Sequence, residues 1–392
     1  MKLLPTEKKN RVLQSMIRLL DEERDKILKA NQKDLNAFER DDQALYDRLI
    51  VDNKKIDDMI RSVREVEAQE DPVGKIKYER TLDSGLRVIN KTAPFGTIMI
   101  IYESRPDVTI EAAVLAFKAN NKILLKGGRE AVETNKALVD LWHKALKENE
   151  LEKDWISLMT LNREQTQAFL KNPDQKLDLI VPRGGERLID FVKQHATCPV
   201  LVSGRGNNFV YVDSTADWDK TVKVILNAKT DKISACNAVD KILINRNIPE
   251  VKEKFDSLVR SLKDKKVEVL VSENGEWEDE NIWYEEFLAM KILVDFVENM
   301  EEAIGKINKY SGGHSTAIMT ECTDSADLFM EQIDSAAVYH NASTRFTDGG
   351  AMGVGAELAI STDKLHHRGP LGLEQLVSNK YYVYGDGHVR IS

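Results

Sequence analysis

The stretch that decides the fold is GTIMIIY at residues 96–102, followed by IEAAVLAFKANN at 110–121 and KILLK at 122–126. The two short apolar runs are typical of buried strands, whereas the middle stretch has the length and composition of a helix. Strand, helix and strand within about thirty residues form a βαβ unit, which requires a parallel pair of strands. The sequence therefore predicts an α/β fold.

The same alternation continues along the chain. In its first half we predict helices near 130–148, 164–170 and 185–194, and strands near 155–160, at LDLIV from 177 and at PVLVSG (199–204). A second set has helices at 219–229, 249–264 and 300–309, and strands at KILI (241–244), VEVLV (267–271) and KILVDF (291–296). Repeated alternation of this kind is typical of doubly wound parallel sheets.

Three further segments complete the organisation. Residues 5–68 carry apolar residues at three- and four-residue spacing among charges, which predicts amphipathic surface helices. TLDSGLRVINKTA (81–93) predicts a hairpin that turns at Ser84-Gly85. The segment LVSNKYYVYGDGHVRIS (376–392) is rich in aromatic and β-branched residues and predicts a strand that extends from the body.

Length and composition limit the class of protein. A chain of 392 residues exceeds what one hydrophobic core usually organises, so we expect two or three packed units. The net charge of −9 argues against a general nucleic-acid-binding role, because phosphate backbones are bound by Lys and Arg. The N-terminus has no uninterrupted apolar region, and no stretch approaches the ~18 apolar residues of a membrane span. We therefore expect a cytoplasmic protein with no nucleic-acid or membrane partner.

The cysteines and histidines do not form a metal-binding pattern. Cys198, Cys236 and Cys322 are widely spaced and lack a CxxC pairing, which argues against a disulfide framework or a zinc site. His366 and His367 have no third ligand at a suitable spacing. We expect no metal, and we interpret Cys198 and Cys322 as buried structural cysteines.

Cys236 is the candidate nucleophile. It lies in SACNAVDKILI (234–244), at a junction between a predicted helix and an apolar strand. Its small neighbours Ala235 and Ala238 allow a substrate to approach the sulfur, and Lys232 adds positive potential that favours a thiolate. The alternative is a buried structural cysteine, which composition alone would favour.

KGGREA (126–131) is a candidate nucleotide-binding turn, because it follows a strand and precedes a helix. Gly127 and Gly128 permit close approach of the backbone, while Lys126 and Arg129 supply cations for phosphate or ribose oxygens. NAD-selecting sites tend to place an acidic residue on the ribose hydroxyl, so the basic pair favours NADP. The alternative is a surface turn with two solvated cations.

PRGGERL (182–188) repeats this arrangement of strand, Gly184-Gly185 and helix. The N-terminal N–H groups of the helix can face an anion, so it is a second candidate phosphate site. A simple strand-to-helix turn explains the sequence equally well. Arg183 can contact either cofactor or substrate.

The Cys236 segment, NAKT followed by SACNA, is very similar to the nucleophile segment of the γ-glutamyl phosphate reductases, within the aldehyde dehydrogenase superfamily. The likeness extends over nearly the whole chain, through IYESRPDVT (101–109), LLKGGREA (124–131), DLIVPRGG (178–185), GRGNNFVYVD (204–213), HNASTRFTDGG (340–350), LHHRGPLGLE (365–374) and YGDGHVR (384–390). These segments, in this order, make the resemblance specific.

The resemblance implies an aldehyde dehydrogenase-like fold, with two doubly wound α/β domains and a small β oligomerisation flap. Residues 1–228 would form the cofactor-binding domain, with the 80–93 hairpin in the flap. Residues 229–362 would form the catalytic domain, and 363–392 would return to the cofactor domain and supply a C-terminal oligomerisation strand. A homo-oligomer, dimer or tetramer, follows from this arrangement.

The resemblance also implies the chemistry. Cys236 would displace phosphate from L-glutamyl 5-phosphate, and the thioester would accept hydride from NADPH to give L-glutamate 5-semialdehyde. A backbone N–H at Cys236 would be the oxyanion donor, with Asn237 or another side chain as a second donor. Hydrolytic relatives carry a glutamate base in an ELGG segment, whereas VSGRGNN (202–208) has none. We also expect Glu286 to contact the cofactor.

The substrate carries a phosphate, an α-carboxylate and an α-ammonium, so its pocket needs both cations and acceptors. The resemblance places two segments near the reactive cysteine, and their candidate residues are Ser104, Arg105 and Asp107 in the first and Asn341, Ser343, Thr344 and Arg345 in the second. Each arginine could instead be an ordinary structural ion-pair partner.

The chain departs from the family pattern at three positions. Asp107 replaces an asparagine, Asp240 replaces a glutamate, and Ala351 stands in an acidic position. The Asp107 change replaces an amide donor with an anion, which bears on substrate geometry and charge preference.

Two other functions stay open from the sequence: another acyl-phosphate or aldehyde reductase on the same fold, and a catalytically silent nucleotide-binding paralogue. Under the first assignment, we expect the unstable acyl phosphate to arrive from a separate glutamate kinase by transient contact.

Overall fold

The structure is a computed structural model that describes residues 2–39, 42–233, 235–271 and 279–390, with the backbone alone at Ala44. The chain divides into two units. The first unit contains the residues up to Val202, together with Val354–Ala359 and the segment from Leu371 onwards. The second unit contains Ser203–Gly353 and Ile360–Pro370.

The first unit is built on a parallel sheet in the order β5-β4-β3-β6. Its strands are β3 (Thr97–Tyr102), β4 (Lys122–Lys126), β5 (Ile156–Leu158) and β6 (Leu179–Arg183). Ile98, Met99 and Ile100 on the inner strand β3 are fully buried, as expected for a parallel strand with both faces covered. The predicted βαβ unit is confirmed.

Helices cover this sheet. They are α1 (Thr6–Glu22), α2 (Arg24–Asn36), α3 (Gln43–Leu49), α4 (Asn53–Ala68), α5 (Asp107–Lys118), α6 (Val132–Glu148), α7 (Arg163–Lys171) and α8 (Glu186–His195). Helix α5 is almost wholly buried, and its Phe117 packs against the rings of Trp142 and Trp155. Two of the helices predicted for residues 5–68, α1 and α4, each bury one apolar face, as the spacing of their apolar residues requires.

An antiparallel sheet in the order β1-β2-β15 belongs to the first unit, and we call it the flap. Its strands are β1 (Ile76–Thr81), β2 (Arg87–Pro94) and β15 (Val377–Tyr384). Gly85 occupies the hairpin turn with a φ of 87°, which an L side chain adopts rarely. The predicted hairpin and C-terminal strand are both present, and they pair with each other.

The second unit is built on a parallel sheet in the order β12-β11-β7-β8-β10-β9. Its strands are β7 (Asn208–Val212), β8 (Val239–Asn245), β9 (Glu268–Val271), β10 (Lys291–Val297), β11 (Ser315–Met319) and β12 (Ala337–His340). The helices are α9 (Trp218–Thr230), α10 (Val251–Asp264), α11 (Met300–Tyr310) and α12 (Thr323–Gln332). A short antiparallel pair, β13 (Ile360–Ser361) and β14 (Gly369–Pro370), completes the unit.

The predicted strand PVLVSG (199–204) is not a strand. Val200 makes a single bridge to Ile180, and the regular pairing instead begins at Asn208, in β7. Because β7 pairs with β8 and β11, it and α9 belong to the second unit, so the boundary lies at 202 rather than at the predicted 228.

The return to the first unit also differs from the expected 363–392. Residues 354–359 and the segment from 371 belong to the first unit, because Leu358 and Ala359 exchange backbone hydrogen bonds with Leu371. Residues 360–370 between them stay with the second unit.

Among the helices of the described ranges, none has the length and apolarity of a membrane-spanning helix.

Candidate active site

Cys236 lies in a tight turn that leads into the amino end of β8. The turn is closed by backbone hydrogen bonds from Ala235 N–H to the Lys232 carbonyl (3.2 Å) and from Ala238 N–H to the Ala235 carbonyl (3.0 Å). Cys236 is half-buried, so its thiol is neither locked in the core nor fully solvated. Cys198 and Cys322 are also half-buried, which makes the expectation of buried structural cysteines wrong.

Asn208 holds the Cys236 turn from the neighbouring strand. Its side-chain amide donates to the carbonyl oxygens of Cys236 (2.8 Å), Ala238 (2.7 Å) and Gly206 (3.0 Å), while its Oδ1 accepts from Ser315 N–H (3.0 Å). The residue is fully buried. It therefore joins the starts of β7, β8 and β11 below the candidate nucleophile. Sequence reasoning did not identify Asn208, because its partners are distant in sequence.

Asn237, the neighbour of Cys236, has both amide hydrogens engaged. Its Nδ2 donates to the backbone carbonyl oxygens of Arg345 (3.2 Å) and Thr347 (3.0 Å). The backbone carbonyl of Asn237 accepts from Thr344 Oγ1 (2.7 Å). These contacts tie the Cys236 turn to the 344–347 segment. The side chain is thus an anchor, and its amide is not available as the second oxyanion donor that we expected.

The segment with Asn341, Ser343, Thr344 and Arg345 is only partly brought to the turn. Thr344 contacts Asn237 as described above, and Ser343 Oγ accepts from the Arg345 N–H (3.3 Å). Asn341 instead hydrogen-bonds to both the N–H and the carbonyl of Thr320, just past the carboxyl end of β11. The Cys236 turn lies at the other end of this strand, where Ser315 contacts Asn208. The structure does not bring Asn341 to the nucleophile.

Arg345 has an ion pair within the second unit. Its Nε lies 3.0 Å from Asp231 Oδ2, and the side chain is 17% exposed. A substrate anion would have to share this guanidinium with Asp231. The structural interpretation of Arg345, left open by the sequence, therefore has a definite partner.

Glu286 lies beside the same turn. The backbone N–H of Gly206 donates to its carboxylate, and burial, with the nearby charge of Asp240, raises the pKa of Glu286 to about 7. Gly206 cannot carry a side chain here, since a Cβ would lie within 3.0 Å of both the Cys236 carbonyl oxygen and Glu286 Oε1. Glu286, Gly206 and the nucleophile turn thus form one tight contact.

Asp240 holds the segment that carries Glu286. Its Oδ1 pairs with Lys229 at 2.8 Å, with both side chains almost completely buried, and its Oδ2 accepts from the Phe287 N–H (2.8 Å). The adjacent Lys241 donates to the Glu285 carbonyl, and burial lowers the pKa of Lys241 to about 8. The departure from the family pattern at Asp240 therefore keeps a carboxylate with a defined structural role.

In the first unit, KGGREA forms the predicted turn after β4. Lys126 donates to the Gly127 carbonyl (3.2 Å), and burial lowers its pKa. A Cβ at Gly127 would lie within 3.0 Å of Asn135 Nδ2, so this position requires glycine for close packing. Arg129 is exposed in the short 3-10 turn that precedes α6. In the first turn of α6, the N–H groups of Glu133 and Thr134 are already capped by Asp34.

The end of β3 and the KGGREA turn are brought together. Ser104 is fully buried, and its hydroxyl donates to Glu130 Oε1 (2.5 Å). Arg105 pairs with Asp107 at 2.8 Å, and the guanidinium helps to hold the pKa of Asp107 below its usual range despite burial. Both segments lie at carboxyl ends of parallel strands, the edge at which α/β sheets bind ligands.

The PRGGERL turn joins the same edge. Gly185 N–H donates to Glu103 Oε2 (3.3 Å), and Gly185 precedes α8 without any side-chain cap. Arg183 donates to the Leu358 carbonyl and lies 3.9 Å from Glu111, whose pKa is raised by burial. Gly185 supplies no side-chain cap to α8, but the Glu103 carboxylate already lies at its N–H, as the Asp34 carboxylate lies at the start of α6. An anion at the start of α8 would therefore meet Glu103.

These features fit a nicotinamide dinucleotide. The glycine turns stand at the carboxyl edge of a parallel sheet, Lys126 is a partly buried cation, and the β4 strand ends on that lysine rather than on an acidic residue. Within the described ranges, no group of three or more His, Cys, Asp or Glu side chains is arranged to hold a metal ion.

Comparison with known proteins gives consistent matches. Residues 1–272 match the aldehyde dehydrogenase family. A relative from Thermotoga maritima named gamma-glutamyl phosphate reductase is 42% identical and covers 98% of this chain and 94% of its own. A relative of the same name from Aquifex aeolicus is 40% identical and covers 99% of this chain and 92% of its own.

A solved structure is similar as well. The crystal structure of gamma-glutamyl phosphate reductase from Thermotoga maritima superposes with a TM-score of 0.93 at 41% sequence identity. The match covers 99% of this chain and 95% of the other. The similarity therefore spans both units and the flap.

Proposed function

The chain belongs to the aldehyde dehydrogenase family and, within it, to the gamma-glutamyl phosphate reductases, and from this premise we infer its reaction. It reduces L-glutamyl 5-phosphate to L-glutamate 5-semialdehyde and phosphate with a nicotinamide cofactor, in proline biosynthesis. The observation that carries this assignment is the 42% identity over 98% of the chain.

In the mechanism we propose, Cys236 is the nucleophile. A carboxylate resists hydride, whereas the acyl phosphate has a good leaving group, so attack by the Cys236 thiolate forms a thioester and releases phosphate. The bound cofactor supplies the hydride that reduces this thioester. Collapse of the thiohemiacetal then releases the semialdehyde and restores the thiolate. The hydrogen bonds of Asn208 support this role, because they fix the Cys236 carbonyl and the backbone that follows it.

Phosphate, rather than water, is the acyl partner in this proposal. A hydrolytic enzyme needs a base that activates water, and no glutamate stands in 202–208. The two asparagines of this segment are engaged in structure: Asn207 donates to the Trp283 and Tyr310 carbonyls, and Asn208 holds the Cys236 turn. Their amides cannot act as bases, so this segment does not supply the glutamate with which hydrolytic relatives activate water.

We propose that the cofactor is NADPH and that the first unit binds it. Lys126 and Arg129 would contact the ribose phosphate, and Gly127 and Gly128 would allow the backbone to approach it. The second glycine turn, Gly184 and Gly185 with Arg183 before it, would face the remaining phosphates at the N-terminus of α8. Glu286 stays a candidate for cofactor contact.

We propose substrate-binding candidates in each unit, taken separately. Arg105 and Ser104 are the candidates in the first, with Asp107 as an acceptor for the α-ammonium. Ser343, Thr344 and Arg345 are the candidates in the second. The small-molecule substrate itself follows from the family.

We further propose that the protein is a homo-oligomer joined through the flap. Tyr78, Tyr381 and Val383 are about half exposed, and the Tyr78 and Tyr381 rings meet edge to face at 5.9 Å. Apolar side chains exposed together on one sheet are a typical subunit contact. Light scattering should give a dimer or tetramer mass, and a monomer would contradict this. Transient delivery of the acyl phosphate by a separate glutamate kinase remains part of the proposal.

The test of the reaction runs it in reverse. Glutamate 5-semialdehyde, supplied as its cyclised equilibrium mixture, should reduce NADP only when phosphate is present, and Cys236→Ala should abolish this turnover. A panel of other aldehydes tests the alternative carbon skeletons. Oxidation of the aldehyde to an acid without phosphate would contradict the proposed reaction, and full activity of Cys236→Ala would contradict the covalent mechanism.

A further inference from the structure

The Cys236 turn needs a proton acceptor that the sequence did not identify. Acyl transfer requires the thiolate, and an ordinary cysteine with a pKa of about 8.5 is mostly protonated at neutral pH. The 202–208 segment, where hydrolytic relatives carry a glutamate, has no acid side chain. The acceptor must therefore come from another segment of the chain.

Glu286 lies against the backbone of the Cys236 turn. Its Oε1 and the Cys236 carbonyl oxygen both lie within 3.0 Å of the point that a Cβ at Gly206 would occupy. The carboxylate also receives the Gly206 N–H, which orients it towards the turn. Glu286 is half-buried, so it is partly shielded from water.

The surrounding charges fix this carboxylate and set its proton affinity. From β8, the Asp240 carboxylate faces it and disfavours its ionised form, while Lys241 favours that form. Arg205, next to Gly206, also favours the ionised form. Burial outweighs the cations, so the pKa of Glu286 is raised to about 7. A carboxylate of this kind is matched to proton transfer at neutral pH.

We propose that Glu286 accepts the proton of the Cys236 thiol. This inference rests on the thioester chemistry proposed above and adds a role beyond cofactor contact. The S–H proton moves to the Glu286 carboxylate, the S–C bond forms, and the C–O bond to phosphate breaks. The departing phosphate keeps the electron pair and takes up one proton from water. After the thiohemiacetal collapses, Glu286 returns its proton to the Cys236 thiolate.

The test measures Cys236 alkylation by iodoacetamide, without cofactor or substrate, in a Cys198→Ser/Cys322→Ser background. The rate in this background should rise with pH through about 7, following the Glu286 carboxylate. In Glu286→Gln it should rise through about 8.5, as for an ordinary thiol, and be about tenfold lower at pH 7. Glu285→Gln, an exposed neighbour with the same charge change, should match the background.

If Glu286 does not accept the thiol proton, the alkylation rate of Glu286→Gln should change in the opposite direction. If Glu286 only contacted the cofactor, removing its negative charge would make the thiolate easier to form, and Glu286→Gln would react as fast or faster at pH 7. That result would overturn the proposal. Added formate should accelerate alkylation of Glu286→Ala but not of the background, and thermal melting checks that both variants fold.

The same set of proteins separates this inference from the reaction itself. Normal phosphate-dependent turnover by the unmodified chain, with an unchanged profile in Glu286→Gln, would overturn only the role of Glu286. Absent turnover, with the shifted profile, would overturn the assigned reaction and leave the proton transfer between Glu286 and Cys236 intact.

Discussion

The Asn208 side-chain amide lies 2.8 Å from the Cys236 carbonyl oxygen, and this contact ties the candidate nucleophile to the neighbouring strand. The same amide reaches the Ala238 and Gly206 carbonyls, and its Oδ1 receives the Ser315 N–H. A fully buried asparagine thus contacts four backbone groups at once, with its two amide hydrogens shared among three carbonyl oxygens. Buried polar groups of this kind are costly to leave without partners.

Asn208→Ala should therefore lower both stability and activity. We expect a loss of about 3 kcal/mol in the free energy of unfolding, from the backbone groups left unpaired. The turnover number should fall about 100-fold, because a shift of the nucleophile by about 1 Å has this effect. Urea denaturation and steady-state kinetics measure the two quantities.

Asn245→Ala is the matched control for this variant. Asn245 is also buried, donates to the Tyr211 hydroxyl (2.9 Å) and accepts from the Asn247 N–H, but it lies at the carboxyl end of β8. It should lose stability and keep its turnover number. Equal losses of turnover in both variants would show that Asn208 acts only through stability.

Gly206→Ala should reduce activity more than stability. Its Cβ would collide with the Cys236 carbonyl oxygen and with Glu286 Oε1, so the turn and the carboxylate must move apart. We expect a turnover number lower by about 100-fold. In Gly305→Ala nothing lies within 4 Å of the added Cβ, and this helical position in α11 should gain about 1 kcal/mol. Unaltered turnover in Gly206→Ala would contradict the proposed contact.

Local patterns in the sequence predicted the elements whose signal is local. The run from Thr97 to Lys126 has apolar strands and a buried helix in succession, and the hairpin at Gly85 has its turn residues in place. The sequence predicted a strand at PVLVSG (199–204), whereas the regular strand is the next apolar run, NFVYV (208–212). Both are short apolar runs, and only pairing of β7 with the distant β8 and β11 makes the second one regular.

The candidate site shows the same limit. Cys236 was chosen from its own segment, because small neighbours and a junction are visible in the sequence and the segment resembles the family's nucleophile segment. The roles of Asn208, Gly206 and Asp240 depend on partners far along the chain, which no local pattern specifies. Asn341 was included because it belongs to the same segment, NASTRF, as Thr344. In the structure Asn341 instead contacts Thr320, away from the turn.

Lys126→Gln should weaken binding of NADPH more than that of NADH. A charge-assisted contact to the extra phosphate contributes about 1.5 kcal/mol or more, so the KM for NADPH should rise at least about tenfold. Lys122→Gln is the matched control, because Lys122 lies at the other end of β4 and pairs with Asp154. The ratio of kcat/KM for the two cofactors is the measurement. An unchanged ratio in Lys126→Gln would remove Lys126 from the proposed phosphate contact.

Stability should fall at acidic pH because of His314. This residue is fully buried, its Nδ1 lies 2.7 Å from Ser315 Oγ, and its Nε2 has no hydrogen-bond partner among the described residues. Burial lowers the pKa of His314 to about 4 from the ordinary 6.5. Between these two values the unfolded chain binds a proton that the folded protein does not.

Because the unfolded chain binds this proton more readily, acid lowers the free energy of unfolding. The stabilising contribution of neutral His314 is complete above about pH 6.5 and is lost as the pH falls towards 4, by about 3 kcal/mol in total. Urea unfolding at a series of pH values should therefore give a steeper acid decline for the unmodified protein than for His314→Gln, which has no titrating ring. Other acidic groups contribute equally to both proteins, so the difference between the two curves isolates His314. Parallel curves from pH 7 to 4 would mean that His314 is protonated in the folded state as readily as in the unfolded chain.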